Sequence, residues 1–345
     1  MQRFRVFNGD SGILVQRGQT TIALDPHRES DSEFTFVSHA HVDHLHRAGR
    51  RSKKRSQLLA SKETFRIANA RGYNFEDQRH ELDGFELIDT GHILGSRGLL
   101  IGNDEVFYTG DISTRQRAFM KPGKMPHAHT LIIESTFGRP EYIFPDISEV
   151  EHRTNKIISE MYDLGTPVIL MGYALGKAQL LTRLFEHWDP LYVHDSVAAM
   201  NSVYSELGVK FKDLVTYSQA ESEGLLEGNR PWIMVAPLMS GRSAFVKKMK
   251  EKYGAVTVGF SGWAVSQRYP YMMGLDYAIP MSDHCDYAEL ISAVKKCHPS
   301  RVYTFHGFAK EFAKSLRHAG FDAIAVEDAG RADASGQEVP LDFFQ

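Results

Sequence analysis

Three observations predict an α/β protein with two domains. The chain has 345 residues, or about two domains at roughly 150 residues each, and 42% of its residues are hydrophobic, enough to fill two cores. Residues 1–110 contain short apolar runs separated by turn signals, which predicts a β-rich first half. From Ser148 onward, apolar runs alternate with amphipathic segments, a rhythm typical of βαβ units and a parallel sheet.

Strands in the first half are predicted where apolar runs end at turn residues. The run at 20–24 stops at Asp25 and Pro26, and the runs at 99–101 and 106–108 flank a turn at 102–104. Two more strands are predicted at 12–15 and 34–37.

The second half is predicted to begin with a helix at Ser148. Ser148 and Glu151 form a capping-box pattern, and apolar residues recur at helical spacing up to Gly165. Strands are then predicted at 168–170, 191–193, 232–236 and 255–259, and helices at 177–188, 196–207 and after Gly241. A helix at 287–296, a strand at 302–305, a helix at 309–318 and a strand at 323–326 should return to the first domain.

Composition excludes several classes of protein. With 40 Lys plus Arg against 43 Asp plus Glu, the net charge is -3, so any basic surface must be local. Two cysteines cannot form a disulfide framework, and the first residues lack the apolar stretch of a signal peptide, so we expect a cytoplasmic protein. No segment approaches the roughly 20 apolar residues of a membrane span, so no membrane association is expected.

A dense histidine cluster follows the strand predicted at 34–37. His39, His41, Asp43 and His44 lie within six positions. Residues at i and i+2 leaving an extended segment point the same way, so His39 and His41 can converge, while Asp43 and His44 can turn toward a neighbouring point. One loop can thus supply two metal ions. Imidazole and carboxylate suit Zn²⁺, and also Mn²⁺ or Fe²⁺. The alternative is a polar surface loop.

Four later residues have the same character. His92, Asp111, His284 and His306 each follow a strand or a tight glycine turn, where site residues on a rigid scaffold are often found. Each alone is more often a structural histidine or a cap, and Asp283 or Asp286 can simply cap the helix predicted at 287–296. Their combination with the first cluster favours a metal site.

The motifs resemble the β-CASP branch of the metallo-β-lactamase-fold nucleases over nearly the whole chain. The similar segments, in the family's order, are HAHVDH at 39–44, GHILGS at 91–96, TGD at 109–111, LIIESTFG at 131–138, GYALGKAQ at 172–179, SDHCDY at 282–287 and FHG at 305–307. The resemblance implies an αββα metallo-β-lactamase sandwich formed by 1–145 and 275–345. It also implies an inserted Rossmann-like parallel α/β β-CASP cap domain at 146–274.

The resemblance also implies roles for single residues. His39, His41 and His92 would hold one divalent ion, Asp43, His44 and His306 a second, and Asp111 would bridge them. Zinc is the expected metal and manganese the alternative. Asp43, Glu134 and His284 are the expected catalytic residues, with Glu134 orienting His284 as proton donor. The alternative for Glu134 is a strand-end residue that caps a turn.

Two glycine turns are candidates for holding substrate phosphates. The turn that opens the helix at Lys177 follows a strand, but it lacks the spacing of a P-loop. Ser240 and Gly241 form the second turn, and Trp263 offers a ring for base stacking. The alternative for both turns is ordinary strand-to-helix chemistry, and for Trp263 it is core packing. A basic run follows the metal loop and can neutralise phosphates or be a solvated helix face: Arg47, Arg50, Arg51, Lys53, Lys54 and Arg55.

Within the branch, the chain is most similar to compact, ligase-associated DNA exonucleases. It has His306 where the Artemis type carries an apolar residue, and Phe308 where RNA-processing members usually carry Glu. The expected function is therefore metal-dependent hydrolysis of DNA phosphodiester bonds, as an exonuclease in repair or replication with a ligase as a partner. An RNA-processing exo- or endoribonuclease is the alternative. A hydrolase of small esters is a third hypothesis, which the inserted domain disfavours. A catalytically silent metal protein is the fourth, which the intact His284 disfavours.

Overall fold

The protein, seen here as a computed structural model, is described at residues 4–45, 56–73, 75, 78–228 and 230–329. It divides into two compact units. The first consists of Met1–Arg115, Lys121–Pro140 and His284–Gln345, and the second of Gln116–Met120 and Glu141–Asp283.

The first sheet of the first unit has the strand order β1-β2-β3-β4-β5-β6. Its strands are β1 (Arg5–Gly9), β2 (Gly12–Arg17), β3 (Thr20–Leu24), β4 (Phe34–Phe36), β5 (Gln57–Leu59) and β6 (Gln78–Arg79). The pairs β1-β2 and β2-β3 are antiparallel, and the pairs from β3 to β6 are parallel. Helix α1 (Lys62–Ala70) follows β5 and begins at Ser61, whose hydroxyl accepts a hydrogen bond from the Thr64 amide.

The second sheet of this unit has the order β18-β17-β10-β9-β8-β7. Its strands are β7 (Phe85–Asp89), β8 (Arg97–Ile101), β9 (Val106–Tyr108), β10 (Thr130–Glu134), β17 (Arg301–Phe305) and β18 (Ala323–Ala325). β7, β8 and β9 are antiparallel neighbours, whereas β9, β10, β17 and β18 run parallel. Because β8 reverses the direction twice, the carboxyl ends of β7, β9, β10 and β17 lie at one edge of the sheet.

The two sheets of the first unit pack face to face. Phe36 of β4 and Tyr108 of β9 lie in one core cluster, with ring centroids 6.1 Å apart. Alternate residues of a strand point to opposite faces, so Phe107 of β9 enters a second cluster. There it packs with Leu290 of α8 (Tyr287–Cys297) and Phe312 of α9 (Ala309–His318). The layers are thus sheet, sheet and helices.

The second unit contains a parallel sheet of order β13-β12-β14-β11-β15-β16. Its strands are β11 (Val168–Gly172), β12 (Leu191–Val193), β13 (Val215–Thr216), β14 (Ile233–Pro237), β15 (Val256–Ser261) and β16 (Tyr277–Pro280). Its helices are α2 (Ile147–Asp163), α3 (Lys177–Phe185), α4 (Asp195–Glu206), α5 (Tyr217–Ser222), α6 (Ala244–Tyr253) and α7 (Tyr269–Met273). Asp146 rather than Ser148 is the N-cap residue of α2, so the helix begins two residues earlier than the capping-box pattern predicted.

Helices cover both faces of this parallel sheet. Met171 of β11 packs with Met249 of α6 in one cluster. Met171 pairs with Gly259 of β15, so Phe260, the next residue, points to the opposite face. The ring of Phe260 lies 6.5 Å from the ring of Phe185 in α3. The alternation of strands and helices in the sequence therefore predicted this sheet and its parallel direction.

The unit boundaries differ from the predicted domain boundaries at residues 141–145, 275–283 and 116–120. We expected 141–145 and 275–283 in the first domain, but both stretches belong to the second unit. β16 hydrogen bonds to β15, which makes it an edge strand of the parallel sheet. Residues 116–120 also belong to the second unit, where Phe119 contacts the ring of Tyr204. No helix in the described part of the chain combines the length and apolar composition that a bilayer crossing requires.

Candidate metal centre

Five strand ends position the candidate ligands within the first unit. Asp111 follows β9, Glu134 is the last residue of β10, and His306 follows β17. These three parallel strands are neighbours, so their carboxyl ends carry the three side chains to one edge of the sheet. His92 follows β7 at the same edge. The loop that carries His39 follows β4 of the facing sheet.

Glycines allow these loops to approach one another closely. Gly91, beside His92, has φ +72°, and a Cβ there would lie 2.5 Å from the Ser113 carbonyl oxygen. Gly110, beside Asp111, has φ +55°, and a Cβ there would lie 2.5 Å from Cβ of Ser38. Both positions need a residue that adopts positive φ and lacks a side chain.

The first group of ligand atoms comprises His39, His41, His92 and Asp111. His41 Nδ1 lies 2.9 Å from His39 Nε2 and 3.1 Å from His92 Nε2. Asp111 Oδ2 lies 3.4 Å from His39 Nε2 and 3.5 Å from His92 Nε2. Four donor atoms thus surround one point.

The second group comprises His44, Asp111 and His306. His44 Nε2 lies 3.5 Å from Asp111 Oδ2, and His306 Nδ1 lies 3.7 Å from Asp111 Oδ1. Asp43 Oδ2 lies 3.7 Å from His44 Nε2, although the Asp43 side chain is 74% exposed. Asp111 therefore belongs to both groups, one carboxylate oxygen facing the first and both facing the second.

The donor set fits a bound cation better than it fits internal hydrogen bonding. His44 Nε2 and Asp111 Oδ1 are buried and have no hydrogen-bond partner among the described residues. Such orphaned atoms are costly unless something else satisfies them. Ligands at the roughly 2.0–2.1 Å of a zinc–nitrogen bond lie about 3.3 Å apart around a tetrahedral ion, close to the spacing of the first group. The chain therefore carries a His/Asp cluster that can hold a divalent metal ion.

The pKa values of the clustered side chains are shifted in different directions. Burial, together with the neighbouring imidazole of His44, lowers the pKa of His39 well below its usual value, so this ring is neutral and can offer a lone pair. Burial alone would lower the pKa of His44 too, but the carboxylates of Asp111 and Asp25 outweigh burial and raise it well above the usual value. Burial alone would raise the pKa of Asp111, yet the surrounding histidines, His44 and His284 first, hold it well below its usual value.

Asp25 is a residue of the site that the sequence analysis assigned only to a turn. Its Oδ2 lies 2.8 Å from His44 Nδ1 and accepts hydrogen bonds from the hydroxyls of Ser38 at 2.6 Å and Tyr108 at 2.8 Å. A carboxylate on Nδ1 makes Nε2 the nitrogen that faces the cluster. The available signal was an acid at the end of a buried strand, directly before Pro26.

Glu134 and His284 form the pair that the resemblance implied. Glu134 is fully buried, and its Oε1 accepts hydrogen bonds from His284 Nδ1 at 2.9 Å and from the Ile112 amide at 2.9 Å. Its Oε2 accepts one from the Thr136 amide at 3.1 Å. A carboxylate only accepts hydrogen bonds, so His284 carries its proton on Nδ1 and presents Nε2 for proton exchange. The His284 side chain is 22% exposed.

Lys177, a substrate-binding candidate, lies in the second unit. Its side chain is 2% exposed and its ammonium lies 2.9 Å from Asp283 Oδ2. Arg117, also 2% exposed, binds the other oxygen of Asp283 at 3.0 Å. Lys177 thus belongs to a buried ion cluster of the second unit.

The second glycine turn and Trp263 also lie in the second unit. The Gly241 amide donates to the Met273 carbonyl oxygen at 2.7 Å, so this N–H is committed to the protein. A Cβ at Gly241 would lie 1.8 Å from the Gly274 carbonyl oxygen, which explains the glycine by close packing. The Ser240 hydroxyl accepts a hydrogen bond from the Arg242 amide. Trp263 is 37% exposed and packs edge-on against Tyr142. The basic run at 47–55 lies outside the described residues.

Comparison with the sequences of known proteins gives two matches to set beside this geometry. Over 318 residues the chain is 34% identical to a protein of Opitutus terrae described as a probable DNA ligase, covering 89% of this chain and 30% of that protein. Over 341 residues it is 24% identical to an RNase J-like protein of Methanocaldococcus jannaschii, covering 79% of this chain and 80% of that protein. The predicted resemblance to the β-CASP nucleases is confirmed. No protein-family profile matches the chain.

A crystal structure extends the β-CASP comparison to the fold. A protein of unknown function from Enterococcus faecalis V583 matches with a TM-score of 0.59 at 14% identity, over 98% of each chain. At that identity the match shows a shared fold alone. The mixed α/β architecture with several sheets is consistent with a β-CASP metallo-β-lactamase fold. The chain spans 30% of the length of the Opitutus terrae protein.

Proposed function

We propose that this protein is a divalent-metal-dependent nuclease that hydrolyses phosphodiester bonds of DNA, acting as an exonuclease in repair or replication. One observation carries the proposal: imidazoles from separate strand ends converge on Asp111, where buried donor atoms have no hydrogen-bond partner among the described residues. Such a donor set has little use in a purely structural role, because structural metal sites are closed and need no neighbouring proton donor.

Two divalent ions, zinc first and manganese as the alternative, are assigned to this cluster. His39, His41 and His92 would hold one, Asp43, His44 and His306 the other, and Asp111 would contact both. When bound, such ions neutralise the charge of a phosphodiester and lower the pKa of water, so that a nucleophile exists at neutral pH. Asp25 would keep His44 in the orientation and tautomer that binding needs.

His284 and Glu134 would handle the leaving group. As a water oxygen forms its bond to phosphorus, the phosphorus–oxygen bond to the departing nucleoside breaks, and that oxygen needs a proton. His284 Nε2 would give it, while Glu134 stabilises the positive ring through Nδ1. The proton that the water loses passes to solvent. General acid catalysis of this kind typically contributes about 10² to 10⁴ in rate.

DNA is favoured over RNA as the substrate. The relative of higher identity is described as a probable DNA ligase, and Phe308 follows His306 and Gly307 where RNA-processing members of the family usually carry Glu. RNA is the second candidate, supported by the RNase J-like relative. A cytoplasmic location and a DNA ligase as partner complete the proposal.

The finer architecture is part of the same proposal. The first unit would be the αββα metallo-β-lactamase sandwich, and the second unit the inserted Rossmann-like β-CASP cap. Among the substrate-binding candidates, Trp263 retains a direct role, since its exposed ring can stack a base. Ser240 is half-buried and remains a candidate phosphate contact, whereas Gly241 and Lys177 would act by shaping the second unit.

Replacing Asp111 by Ala tests the metal-dependent activity. End-labelled single-stranded DNA and RNA of the same sequence are incubated with the wild type and with Asp111→Ala in Zn²⁺ or Mn²⁺. We expect stepwise digestion of DNA by the wild type, at least about 10³-fold slower digestion by the variant, and fewer than two ions per chain by elemental analysis. Asp322→Asn, at an exposed ion pair of the same unit, is the control. Normal turnover by Asp111→Ala would refute the proposal, and digestion of RNA alone would replace DNA by RNA.

A further inference from the structure

A backbone hydrogen bond holds the segment that carries His284, at the residue directly after the histidine. The Cys285 amide donates to the Ile112 carbonyl oxygen at 2.7 Å, and the Ile112 amide donates to Glu134 Oε1 at 2.9 Å. The peptide groups of Ile112 therefore bind both Glu134 and the residue that follows His284. These two hydrogen bonds fix the His284 imidazole relative to the Glu134 carboxylate.

Arg115 extends the same loop to a second pair of anchors. Its guanidinium binds Asp286 Oδ2 through Nη2, and its Nε donates to Glu289 Oε1 at 2.7 Å. Asp286 is the N-cap of α8: its Oδ1 accepts from the Glu289 amide, and its own amide donates to Glu289 Oε2, each at 2.9 Å. Arg115 thus grips both members of the capping box.

The pair that Arg115 grips is buried enough for the contact to matter. The Asp286 side chain is 2% exposed, whereas those of Arg115 and Glu289 are 23% and 17% exposed. Moving Arg115 away would leave the buried Asp286 carboxylate without its cation, which costs free energy. The Arg115 guanidinium therefore holds the start of α8 in one arrangement. Arg115 has no place in the metal groups formed by the described residues.

We propose that Arg115 is a positioning residue for His284: by holding Asp286 and Glu289 it fixes the start of α8, and so the site from which His284 reaches a leaving group. This inference rests on the proposed function. The planar fork of an arginine binds two carboxylates at once, which a lysine ammonium on a flexible stem does not reproduce. A displacement of about 1 Å at such a group can cost about 10²-fold in rate.

Two substrates distinguish a role of Arg115 in positioning His284 from a general loss of activity in the variant. The first is a thymidine dinucleotide, whose departing alkoxide needs a proton. The second is the p-nitrophenyl ester of thymidine monophosphate, whose departing phenolate does not. For Arg115→Gln we expect kcat on the dinucleotide to fall about 10²-fold with KM unchanged, and kcat on the ester to fall less than about 3-fold. Arg115→Lys should be intermediate, and His284→Ala should show the same selectivity more strongly. Arg301→Gln, an arginine of the exposed Arg301–Asp322 pair, is the matched control and should change neither.

Measurements that do not depend on turnover complete the test. Hydrogen exchange at the Cys285 amide should be faster in Arg115→Gln and unchanged in Arg301→Gln, while the bound metal stays at the wild-type level. Equal losses on both substrates, or unaltered exchange at Cys285, would overturn the role of Arg115. A wild type that hydrolyses neither substrate would overturn the proposed function instead. If Arg115→Gln unfolds, the ratio of the two rates in Arg115→Lys decides in its place.

Discussion

Single carboxylates set the state of the histidines around them. Asp25 contacts Nδ1 of His44 and Glu134 contacts Nδ1 of His284, so in both imidazoles Nε2 is the nitrogen left for the chemistry of the site. The negative charge of Asp111 lies next to three imidazoles, those of His39, His44 and His92. The chemistry of each histidine therefore depends on an acid that lies between 19 and 150 positions away in the sequence.

Metal binding should depend on pH through His44. Its pKa is raised by Asp111 and Asp25, so the ring carries a proton in the metal-free protein at neutral pH, and binding must release that proton. His39, whose pKa burial lowers, releases none. Below the raised pKa of His44, we expect the affinity for the ion assigned to His44 to increase about tenfold per pH unit. Titration calorimetry at pH 6 and pH 8, in buffers of different ionisation enthalpy, measures this affinity and the proton release.

Asp25→Asn should weaken that dependence, because it removes one of the two carboxylates that raise the pKa of His44. Asp322→Asn, at an exposed surface pair, is the control. Equal affinity for the second ion at pH 6 and pH 8 in the wild type would contradict the expectation.

At the scale of elements, the start of helix α3 packs closely against the turn that precedes it. The glycine turn before Lys177 has the composition of a phosphate loop, but Gly172 is required by close packing, since a Cβ there would lie 2.8 Å from Cγ of Lys177. The lysine binds Asp283 next to Arg117. Burial lowers the pKa of Lys177, and Asp283 partly restores it. Asp283 thus binds two buried cations, one through each carboxylate oxygen.

Asp283→Asn should destabilise the second unit more than Lys177→Met does. Asp283→Asn takes away the charged group that both Lys177 and Arg117 bind, at a cost of about 3–5 kcal/mol, whereas Lys177→Met leaves Asp283 bound to Arg117. Urea unfolding followed by circular dichroism measures the difference. Asp189→Asn, which breaks the exposed pair with Arg230, should cost less than about 1 kcal/mol. Equal losses for Asp283→Asn and Lys177→Met would show that the three charges do not act as a cluster.

On the scale of the whole molecule, the positive charge that could attract a nucleic acid must be concentrated in local clusters. The net charge is -3, so attraction to phosphates depends on clusters such as the basic run at 47–55, whose structure lies outside the described residues. The lysines of α6 are a contrasting set. Lys248, Lys250 and Lys252 form ion pairs with Glu221, Asp276 and Glu227, which satisfies their charges within the protein.

Replacing Arg50, Arg51, Lys53 and Lys54 by Gln should weaken binding of single-stranded DNA. Each lost phosphate contact removes about 0.7 from the slope of log affinity against log salt concentration. Fluorescence anisotropy in EDTA, at several salt concentrations, measures affinity without cleavage. Replacing Lys247, Lys248, Lys250 and Lys252 by Gln makes the same change of charge and should leave the slope unaltered. If the two variants behave alike, the basic run has no special part in binding.

Several strands whose apolar runs end at turn residues could be predicted from the sequence. The predictions at 20–24 and 106–108 coincide with β3 and β9, and that at 191–193 coincides with β12. Short elements escaped prediction: β6 has two residues and α7 has five, too few for a periodic pattern. The sequence analysis did not predict β16 either, because it lies at the sheet edge and its pairing with β15 has no local signature.

The sequence by itself determined which chemistry is available and where along the chain it lies. We could read from the sequence the HxHxDH pattern, the later histidines and the positions of acids at strand ends, because residue type and strand periodicity are local properties. Only the tertiary structure decided which groups meet. Arg115 and Asp286 are 171 positions apart, and Lys177 and Asp283 are 106 apart. Such pairings arise when packing of the sheets and helices closes long loops, and burial then fixes the charge and partner of each side chain.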